Sequence, residues 1–252
     1  MSKHCIICEG WVLEDGMIGF APFVANRMFN KDLATTNLVT CQDCGFMYAS
    51  VRPTEAEMRR MYSGYRGDAY TKERDKWEPG YEELAMQMTR DKSEIAKWRK
   101  DFNSRFMGPH HWEYRDCLDF GGDGEMLPDG CHGFHFDPYN DSSDRLPKSF
   151  ALIYCCGVLE HVADPLQTME QVKALNGDYH LFEVPDEGLR GPTIHEHINF
   201  FNKTSLIHLI QRAGFTPLLT GSFLVKASSH RDMMSAFCFA QRKPIGKSDF
   251  PK

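Results

Sequence analysis

The sequence has no long apolar run and no recognisable secretion signal. Within its 252 residues, no stretch approaches the roughly eighteen apolar residues that a membrane-spanning helix needs. The opening residues, MSKHCIICEG, lack the charged and then apolar segments of a signal peptide. We therefore expect a cytoplasmic protein that does not bind membranes.

The sequence also has no excess of positive charge, no internal repeat and no low-complexity tract. The net charge of −6 disfavours general binding to nucleic acid, although Arg59, Arg60 and Arg66 could form a local basic patch. With 42% hydrophobic and 25% charged residues, the composition excludes disorder as the main state. A chain of this length can form one large domain, or one domain with a small appendage.

Cysteine, in contrast, is abundant, and four of the nine cysteines form two Cys-x-x-Cys pairs. Cys5 and Cys8 form the first pair, and Cys41 and Cys44 form the second. Two such pairs can supply the four thiolates of a tetrahedral structural zinc site, as in a zinc ribbon. The alternative is two accidental pairs, one of them redox-active. The other five cysteines are interpreted as small buried hydrophobic residues: Cys117, Cys131, Cys155, Cys156 and Cys238.

Two helices are predicted between the second cysteine pair and residue 108. Thr54, with Glu57 three residues later, fits the capping box of a short helix that ends near Gly64. A second helix is predicted from Tyr81 to Phe106, where apolar residues recur at spacings of three, four or seven, and it is expected to pack the appendage on the next domain. The segment between these helices, residues 62–81, is rich in tyrosine, glycine and charge. We interpret it as a mobile loop or lid over a site, with a solvated connector as the alternative.

From Arg115 onward, short apolar strands alternate with glycine turns and helices. RDCLDFGGDGEML is a strand that ends in Asp119, followed by a turn in which three glycines let the backbone approach a ligand: Gly121, Gly122 and Gly124. The next strand, HGFHFDPYN, carries Asp137 at its end, where a carboxylate can accept hydrogen bonds from both ribose hydroxyls of a nucleoside.

The alternation continues through FALIYCC, PLQTMEQVKAL, YHLFEVP, NKTSLIHLIQRAGF, TPLLTGSFLV and MMSAFCFAQ. It predicts an α/β fold with a Rossmann-like, mostly parallel sheet of about six strands, covered on both faces, and a ligand crevice at the carboxyl ends of the strands. The zinc ribbon and the helices form a small N-terminal appendage. We expect a zinc-binding domain over residues 1–52, a helical connector and lid over 53–108, and the Rossmann-like domain over 109–252.

Three motifs resemble those of class I S-adenosylmethionine-dependent methyltransferases. LDFGGDGEML resembles their first motif, FHFDPYN their second, and FALIYCCGVLEHVADP the stretch with a VLEHV-DP signature. The resemblance covers roughly residues 106–241 and implies S-adenosylmethionine as the cofactor. It also implies that the glycine turn after Asp119 holds the methionine part, that Asp137 binds the ribose, and that residues from Cys156 and Gly157 to Glu160 line the pocket.

Two segments are shorter than that family requires. Only about a dozen residues separate the glycine turn from Asp137, which leaves room for one or two helical turns. PYNDSSDRLPKS, which follows Asp137, is too short for a helix and a strand. We therefore expect one strand to be missing or vestigial, which leaves a non-binding, degenerate fold as an alternative.

TIHEHINFF, residues 193–201, follows the fourth strand of this half. Together with the zinc ribbon, it is similar to a segment of zinc-containing sugar C-methyltransferases that act on nucleotide-linked 4-keto sugars. The resemblance implies that Glu196 and His197 lie in the active site with a tyrosine, for which Tyr65 or Tyr62 is the nearest counterpart.

The chemistry of carbon methylation requires a base, because a carbon beside a ketone must lose a proton before it attacks a methyl group. His197 can serve as that base, and Glu196 can orient the ring or bind substrate hydroxyls. If the segment is a strand, His195 and His197 share a face, which leaves a metal site open. Hydrogen-bonded core histidines are the third interpretation. For His161, packing or a contact with the cofactor is favoured over chemistry.

The leading hypothesis is therefore methyl transfer from S-adenosylmethionine to a small molecule, with a sugar nucleotide as the best candidate. An oxygen or nitrogen acceptor is the first alternative, because it needs only positioning and weak base assistance. A non-catalytic binding module, with the zinc ribbon presented on a degenerate scaffold, is the second. The sequence does not indicate an oligomeric state.

Overall fold

The computed structural model describes residues 4–65, 67–107, 111–122, 124–139, 146–186, 193–225 and 233–242. In chain order, the elements are β1 (Val12–Phe20), α1 (Pro22–Phe29), β2 (Thr35–Cys41), β3 (Met47–Ala49), α2 (Glu55–Tyr62), α3 (Asp68–Trp77), α4 (Tyr81–Met107), β4 (Asp116–Phe120), β5 (His132–Phe136), β6 (Phe150–Cys156), α5 (Pro165–Ala174), β7 (Gly177–Pro185), β8 (Thr193–Ile194), β9 (Asn199–Phe200), α6 (Lys203–Arg212), β10 (Phe215–Val225) and β11 (Met233–Arg242). Among the described helices, none combines the length and the apolar character that a bilayer crossing requires.

The C-terminal half contains a six-stranded sheet in the order β10-β11-β7-β6-β4-β5. Strands β5, β4, β6 and β7 are parallel, and β10 and β11 form an antiparallel hairpin at one edge. This arrangement confirms the predicted Rossmann-like, mostly parallel sheet of about six strands. The carboxyl ends of β4, β5 and β6 lie side by side, because parallel neighbours end at the same edge of a sheet.

Helices cover both faces of this sheet. On one face, α5 and α6 bury Met169, Leu206 and Ile210 in a cluster with alternate residues of the strands. On the other face, Trp98 of α4 stacks on Phe223 of β10, with ring centroids 3.5 Å apart. The N-terminal turns of α4 belong to a different cluster, which contains Tyr81 and residues of α1 and α2. The long helix therefore joins the appendage to the sheet, as its periodicity predicted.

The N-terminal part contains a second sheet, of five strands in the order β8-β1-β2-β3-β9. Its two edge strands come from the segment 193–200, far along the chain. Thr193–Ile194 pairs in parallel with the end of β1, and Asn199–Phe200 pairs antiparallel with β3. TIHEHINFF is therefore part of the N-terminal sheet, and not a simple extension of the C-terminal one.

Two expectations about helices in the appendage have different outcomes. The short helix is confirmed as α2, whose capping box joins the Thr54 side chain to the backbone N–H of Glu57 at 3.3 Å, with the reciprocal bond at 2.7 Å. The proposed mobile loop is wrong for residues 68–77, which form α3, and a lid role for this segment stays a prediction. This polar helix is held because Tyr70 and Arg74 face inward and are 2% and 5% exposed.

Candidate active site

The two cysteine pairs come together at the junction between β2, β3 and α6. The Sγ atoms of Cys5 and Cys44 lie 3.9 Å apart, those of Cys8 and Cys41 lie 3.4 Å apart, and all four are within 4.8 Å of one another. Tetrahedral zinc with Zn–S bonds of about 2.3 Å holds its sulfur atoms about 3.8 Å apart. The four sulfur atoms therefore fit a zinc ion with no position left for water.

The cysteine cluster is anchored on the C-terminal half. Asn202, the N-cap of α6, donates a hydrogen bond from its side chain to the carbonyl of Cys44 at 3.2 Å. Arg212, at the other end of α6, donates to the carbonyl of Ile7 at 2.7 Å and contacts Glu9 at 2.8 Å. The cluster therefore fixes the ribbon to the helix that covers the C-terminal sheet.

The glycine turn after β4 has the geometry that the sequence predicted. Gly121 and Gly124 have φ values of +79° and +82°, which favour glycine. A Cβ at Gly122 would lie 2.0 Å from the Asp119 carboxylate. That carboxylate is buried and accepts a hydrogen bond from the backbone N–H of Gly124 at 3.1 Å. The backbone of the turn is thus presented at the carboxyl end of β4, where it suits the polar end of an elongated ligand.

The other predicted cofactor residues lie along the same edge. Asp137 follows β5, and its Oδ1 accepts from the backbone N–H of Tyr139 at 2.8 Å. Cys156 ends β6, and Gly157 follows with φ of +68° and donates to the carbonyl of Glu183 at 3.0 Å. Burial raises the pKa of the Cys156 thiol, which stays neutral. This edge offers backbone N–H donors at one end and a half-buried carboxylate acceptor at the other. These groups fit a nucleoside joined to an amino acid.

A buried ion pair, which the sequence did not reveal, lies at the same edge. Arg99 of α4 donates to the Glu183 carboxylate at 2.7 Å, and both side chains are less than a tenth exposed. Glu183 is the register partner of Cys156. The periodicity of α4 placed Trp98 and Phe102 on its buried side. It gave no indication that Arg99, next to Trp98, would form an ion pair with a residue of the sheet.

Glu196 lies in the middle of TIHEHINFF, where three donors hold its carboxylate. Tyr70 donates to Oε1 and Tyr65 to Oε2, each at 3.0 Å, and Arg74 forms an ion pair with Oε1. Burial, and secondarily the charge of Glu196, raises the pKa of Tyr70, so its hydroxyl keeps its proton and donates. The structure therefore brings together Glu196 and Tyr65 as predicted, and adds Tyr70 and Arg74 from α3.

His195 and His197 point to different surroundings, because the strand on which the expectation of a shared face depended is not present. Residues 195–198 are not in a strand, which removes the alternation on which that expectation depended. His195 is half-exposed, with Nδ1 3.5 Å from a carboxylate oxygen of Glu78. Burial favours a higher pKa for Glu78, but the hydrogen bond from His195 and the charge of Arg74 outweigh burial and lower the pKa of this carboxyl group.

His197 instead faces the turn that follows β6. Its ring lies against that of His161, with centroids 4.6 Å apart. His161 Nδ1 lies 2.9 Å from the hydroxyl of Tyr62 and 3.4 Å from the backbone carbonyl of Glu196. Its Nε2 lies 3.8 Å from a carboxylate oxygen of Glu160, which is buried. His161 is therefore a member of the polar cluster around His197.

The cofactor edge and the histidine cluster are continuous. The turn that starts at Cys156 and Gly157 leads directly to Glu160 and His161. Tyr62, the hydrogen-bond partner of His161, also stacks on Tyr139, with ring centroids 5.7 Å apart. Tyr139 is tied to Asp137 through its backbone N–H. A ligand along the carboxyl edge of the sheet would thus end beside Tyr62, His161 and His197.

Comparison with known proteins identifies the family of the chain. A family model described as a methyltransferase domain matches residues 82–220. No curated protein sequence matches the chain significantly.

Two solved structures show a distant similarity. A 1,6-didemethyltoxoflavin-N1-methyltransferase of Burkholderia thailandensis, solved with 1,6-didemethyltoxoflavin and S-adenosylhomocysteine, is 15% identical, with 81% of this chain and 98% of that chain covered and a TM-score of 0.46. A SAM-dependent methyltransferase of Methanosarcina mazei is 13% identical, with 53% and 95% covered and a TM-score of 0.38. Because both TM-scores are below 0.5, the fold is assigned from the strand order of this chain and not from these two structures.

Proposed function

Since the chain belongs to this methyltransferase domain family, we propose that it transfers the methyl group of S-adenosylmethionine to a carbon atom of a nucleotide-linked keto sugar. The observation that carries the proposal is the continuity between the glycine-turn edge and the cluster around His197. The cofactor supplies an electrophilic methyl group, so the acceptor must lie next to that group. In this proposal the acceptor binds where the edge meets the cluster around His197.

In this proposal, cofactor binding is the task of residues at the ends of β4, β5 and β6. The amides of the turn formed by Gly121, Gly122 and Gly124 face the methionine part, and Asp119 holds that turn. Asp137 accepts the ribose hydroxyls, because a carboxylate can accept two hydrogen bonds at once. Cys156 and Gly157 line the middle of the site, where a neutral thiol adds no charge beside a sulfonium.

Cofactor binding is tested by calorimetric titration of S-adenosylmethionine and S-adenosylhomocysteine. We expect micromolar binding in the wild type and a loss of at least about tenfold in Asp137→Ala, since a good pair of hydrogen bonds contributes roughly 1.4 kcal/mol or more. Asp129→Ala is the matched control, because that side chain is 84% exposed and lies away from the edge. The absence of binding to folded wild-type protein would remove the cofactor assignment.

His197 takes the proton from the carbon beside the ketone. The carboxylate of Glu196, paired with Arg74, uses its remaining lone pairs to accept hydrogen bonds from substrate hydroxyls, and Tyr65 fixes one of its oxygens. Removing the proton would leave an enolate, whose carbon is the nucleophile for the methyl group that a bound cofactor would supply, while the sulfur–methyl bond breaks and S-adenosylhomocysteine leaves. The supporting geometry is the position of His197 on the segment that joins the two edge strands of the N-terminal sheet, with its ring beside that of His161 in the turn after β6.

The role of His197 is tested by hydrogen–deuterium exchange of the acceptor in the absence of a methyl donor. A nucleoside diphosphate 4-keto sugar in deuterium oxide is expected to lose the proton next to its ketone in the presence of the wild type. Exchange should fall by about 10² or more in His197→Gln, the usual contribution of a general base. His195→Gln, two residues away and facing Glu78, should exchange at the wild-type rate.

An oxygen or nitrogen acceptor is the second candidate, and the same experiment separates it from the first. A protein that binds S-adenosylmethionine but exchanges no carbon-bound proton of the keto sugar would favour it, because such acceptors need no carbanion.

For the N-terminal site, we propose a structural zinc ion bound by Cys5, Cys8, Cys41 and Cys44. The Sγ separations of 3.4 and 3.9 Å support tetrahedral coordination. Since all four positions are filled by protein, the ion would stabilise the ribbon and take no part in methyl transfer. Cys44→Ser is expected to lose the bound zinc, as measured by elemental analysis of the purified protein.

A further inference from the structure

Glu160, His161 and His197 form a second cluster of possible metal ligands. One ligand atom from each residue lies within 4.8 Å of the other two. We propose that these three residues bind a divalent transition-metal ion of the zinc type, separate from the four-cysteine site. The proposal does not depend on the acceptor or on methyl transfer itself.

The hydrogen bonds of His161 orient it as a metal ligand. Its Nδ1 faces the carbonyl oxygen of Glu196, which can only accept, and the hydroxyl oxygen of Tyr62. The ring proton is therefore assigned to Nδ1, and the Nε2 lone pair points to the Glu160 carboxylate 3.8 Å away. A histidine that binds a metal through one nitrogen normally donates its other N–H to an oxygen in this way.

The two segments that carry the ligands are locked together. The carbonyl of Glu160 accepts from the backbone N–H groups of both Ile198 and Asn199, each at 3.0 Å. The Asn199 side chain donates to the carbonyls of Leu159 and Val162, each at 2.8 Å. The backbone segments that carry His161 and His197 are therefore held together before any ion binds.

The ligand set selects the class of ion. Two imidazoles and one carboxylate suit zinc and related ions, whereas magnesium and calcium prefer oxygen ligands alone. Zinc bonds of about 2.0 to 2.2 Å require ligand atoms about 3.4 Å apart. His161 Nε2 and the Glu160 carboxylate oxygen already lie 3.8 Å apart. Three protein ligands leave a fourth position open, unlike the closed cysteine site.

Occupation of this site has a consequence for His197. A nitrogen that binds a metal ion cannot accept a proton at the same time. If His197 binds the ion through the nitrogen that serves as the base, the metal-bound and base-competent states exclude each other. The two proposals are nevertheless measured separately, because the zinc titration contains no keto sugar and the exchange experiment contains no added zinc.

The test is a zinc titration of full-length protein whose cysteine site is already loaded. We expect about two zinc ions per chain at saturation in the wild type, and about one in His161→Ala, His197→Ala and Glu160→Gln. His195→Ala is the matched control and should keep both, because His195 faces Glu78 outside the cluster. With cobalt as the probe, the second ion should add visible bands without further thiolate-to-metal charge transfer.

Retention of the first ion and of the far-UV circular dichroism spectrum shows that each variant is folded. Glu160→Gln, nearly identical in shape, keeps the test decisive if a histidine variant unfolds. Failure of the loaded wild type to bind a second ion would overturn the proposal. So would a second ion that persists in all three ligand variants, since it would then lie elsewhere.

Discussion

At the scale of single residues, Glu196 shows how a tertiary contact decides the state of a side chain. Its carboxylate, only 12% exposed, is paired with Arg74 and hydrogen-bonded by Tyr65 and Tyr70. The sequence identified Glu196 and one of the two tyrosines through a resemblance. It could not identify Arg74, because an arginine in a polar segment is predicted to be solvent-exposed. Only the structure shows that the segment is a helix whose buried face carries Arg74.

Replacing Glu196 by glutamine is expected to destabilise the protein. The variant leaves the buried Arg74 with Glu78 as its remaining ion-pair partner, so we expect a loss of about 1–3 kcal/mol in the free energy of unfolding. Urea denaturation measures it. Glu170→Gln, with a 63% exposed side chain, should change the free energy by less than about 0.5 kcal/mol. Equal stability of the two variants would contradict the ionised, buried state of Glu196.

His180 predicts an acid sensitivity of the fold. Burial, with a smaller contribution from Arg242, lowers the pKa of His180 to about 3, and neither ring nitrogen has a hydrogen-bond partner within the described part of the chain. Below its ordinary pKa of about 6.5, the unfolded chain binds a proton that the folded protein does not bind. Stability due to this group is therefore complete above pH 6.5 and falls as the pH drops toward 3.

From pH 7.5 to pH 5, this single group is expected to reduce the free energy of unfolding by about 2 kcal/mol. Urea denaturation of the wild type and of His180→Leu at both pH values isolates the contribution. The variant should lose about 2 kcal/mol less than the wild type over that range. Parallel pH profiles would show that His180 becomes protonated inside the folded protein.

At the scale of secondary structure, prediction succeeded where an element has a clear period and failed where it does not. The strands around β6 and the helices α2, α4, α5 and α6 follow from apolar spacing and capping. β8 and β9 have two residues each, too few for any period, and exist because β1 and β3 offer edges. β1 carries acidic residues and a glycine at a register shift in its middle, which hides its strand character.

Helix α3 yields a prediction that separates a folded element from a mobile loop. The amides of Thr71 to Trp77 should show slow hydrogen exchange, because they lie in a helix anchored by Tyr70 and Arg74. Removing the buried ring in Tyr70→Ala should speed their exchange about tenfold for each 1.4 kcal/mol of local stability lost. Mass spectrometry of peptic fragments measures both. Exchange in the wild type at the rate of an unstructured peptide would restore the mobile-loop interpretation.

At the scale of the whole molecule, the N-terminal and C-terminal parts share elements. The C-terminal segment 193–200 supplies both edges of the N-terminal sheet, and the cysteine cluster packs on α6. Division of the chain at residues 52 and 108 stays a prediction. The cysteine pairs and the Rossmann-like sheet were recognised separately because each has a local pattern. The edges of the N-terminal sheet were not predicted, because they depend on strand pairing across more than a hundred residues.

We therefore expect the fragment 109–252 not to fold alone. It contains β8 and β9 without the strands that they pair with, and it exposes the apolar surface that contacts α4. Expressed by itself, it should lack a cooperative unfolding transition, and co-expression with 1–108 should restore one. Circular dichroism during thermal unfolding provides the measurement. A cooperative transition of the isolated fragment would show that the C-terminal sheet is self-sufficient.

The pairing of β8 and β9 also sets a limit on chain length. In a flat sheet of five strands, the two edges would be about 19 Å apart. The chain from Ile194 to Asn199 has a reach of about 17 Å when fully extended, so the sheet must curl toward this short tether. Deleting one residue between these two positions would pull an edge strand from its partner. An added residue would lengthen the connection without breaking either strand pairing, but it would displace Glu196 and His197 from their present contacts.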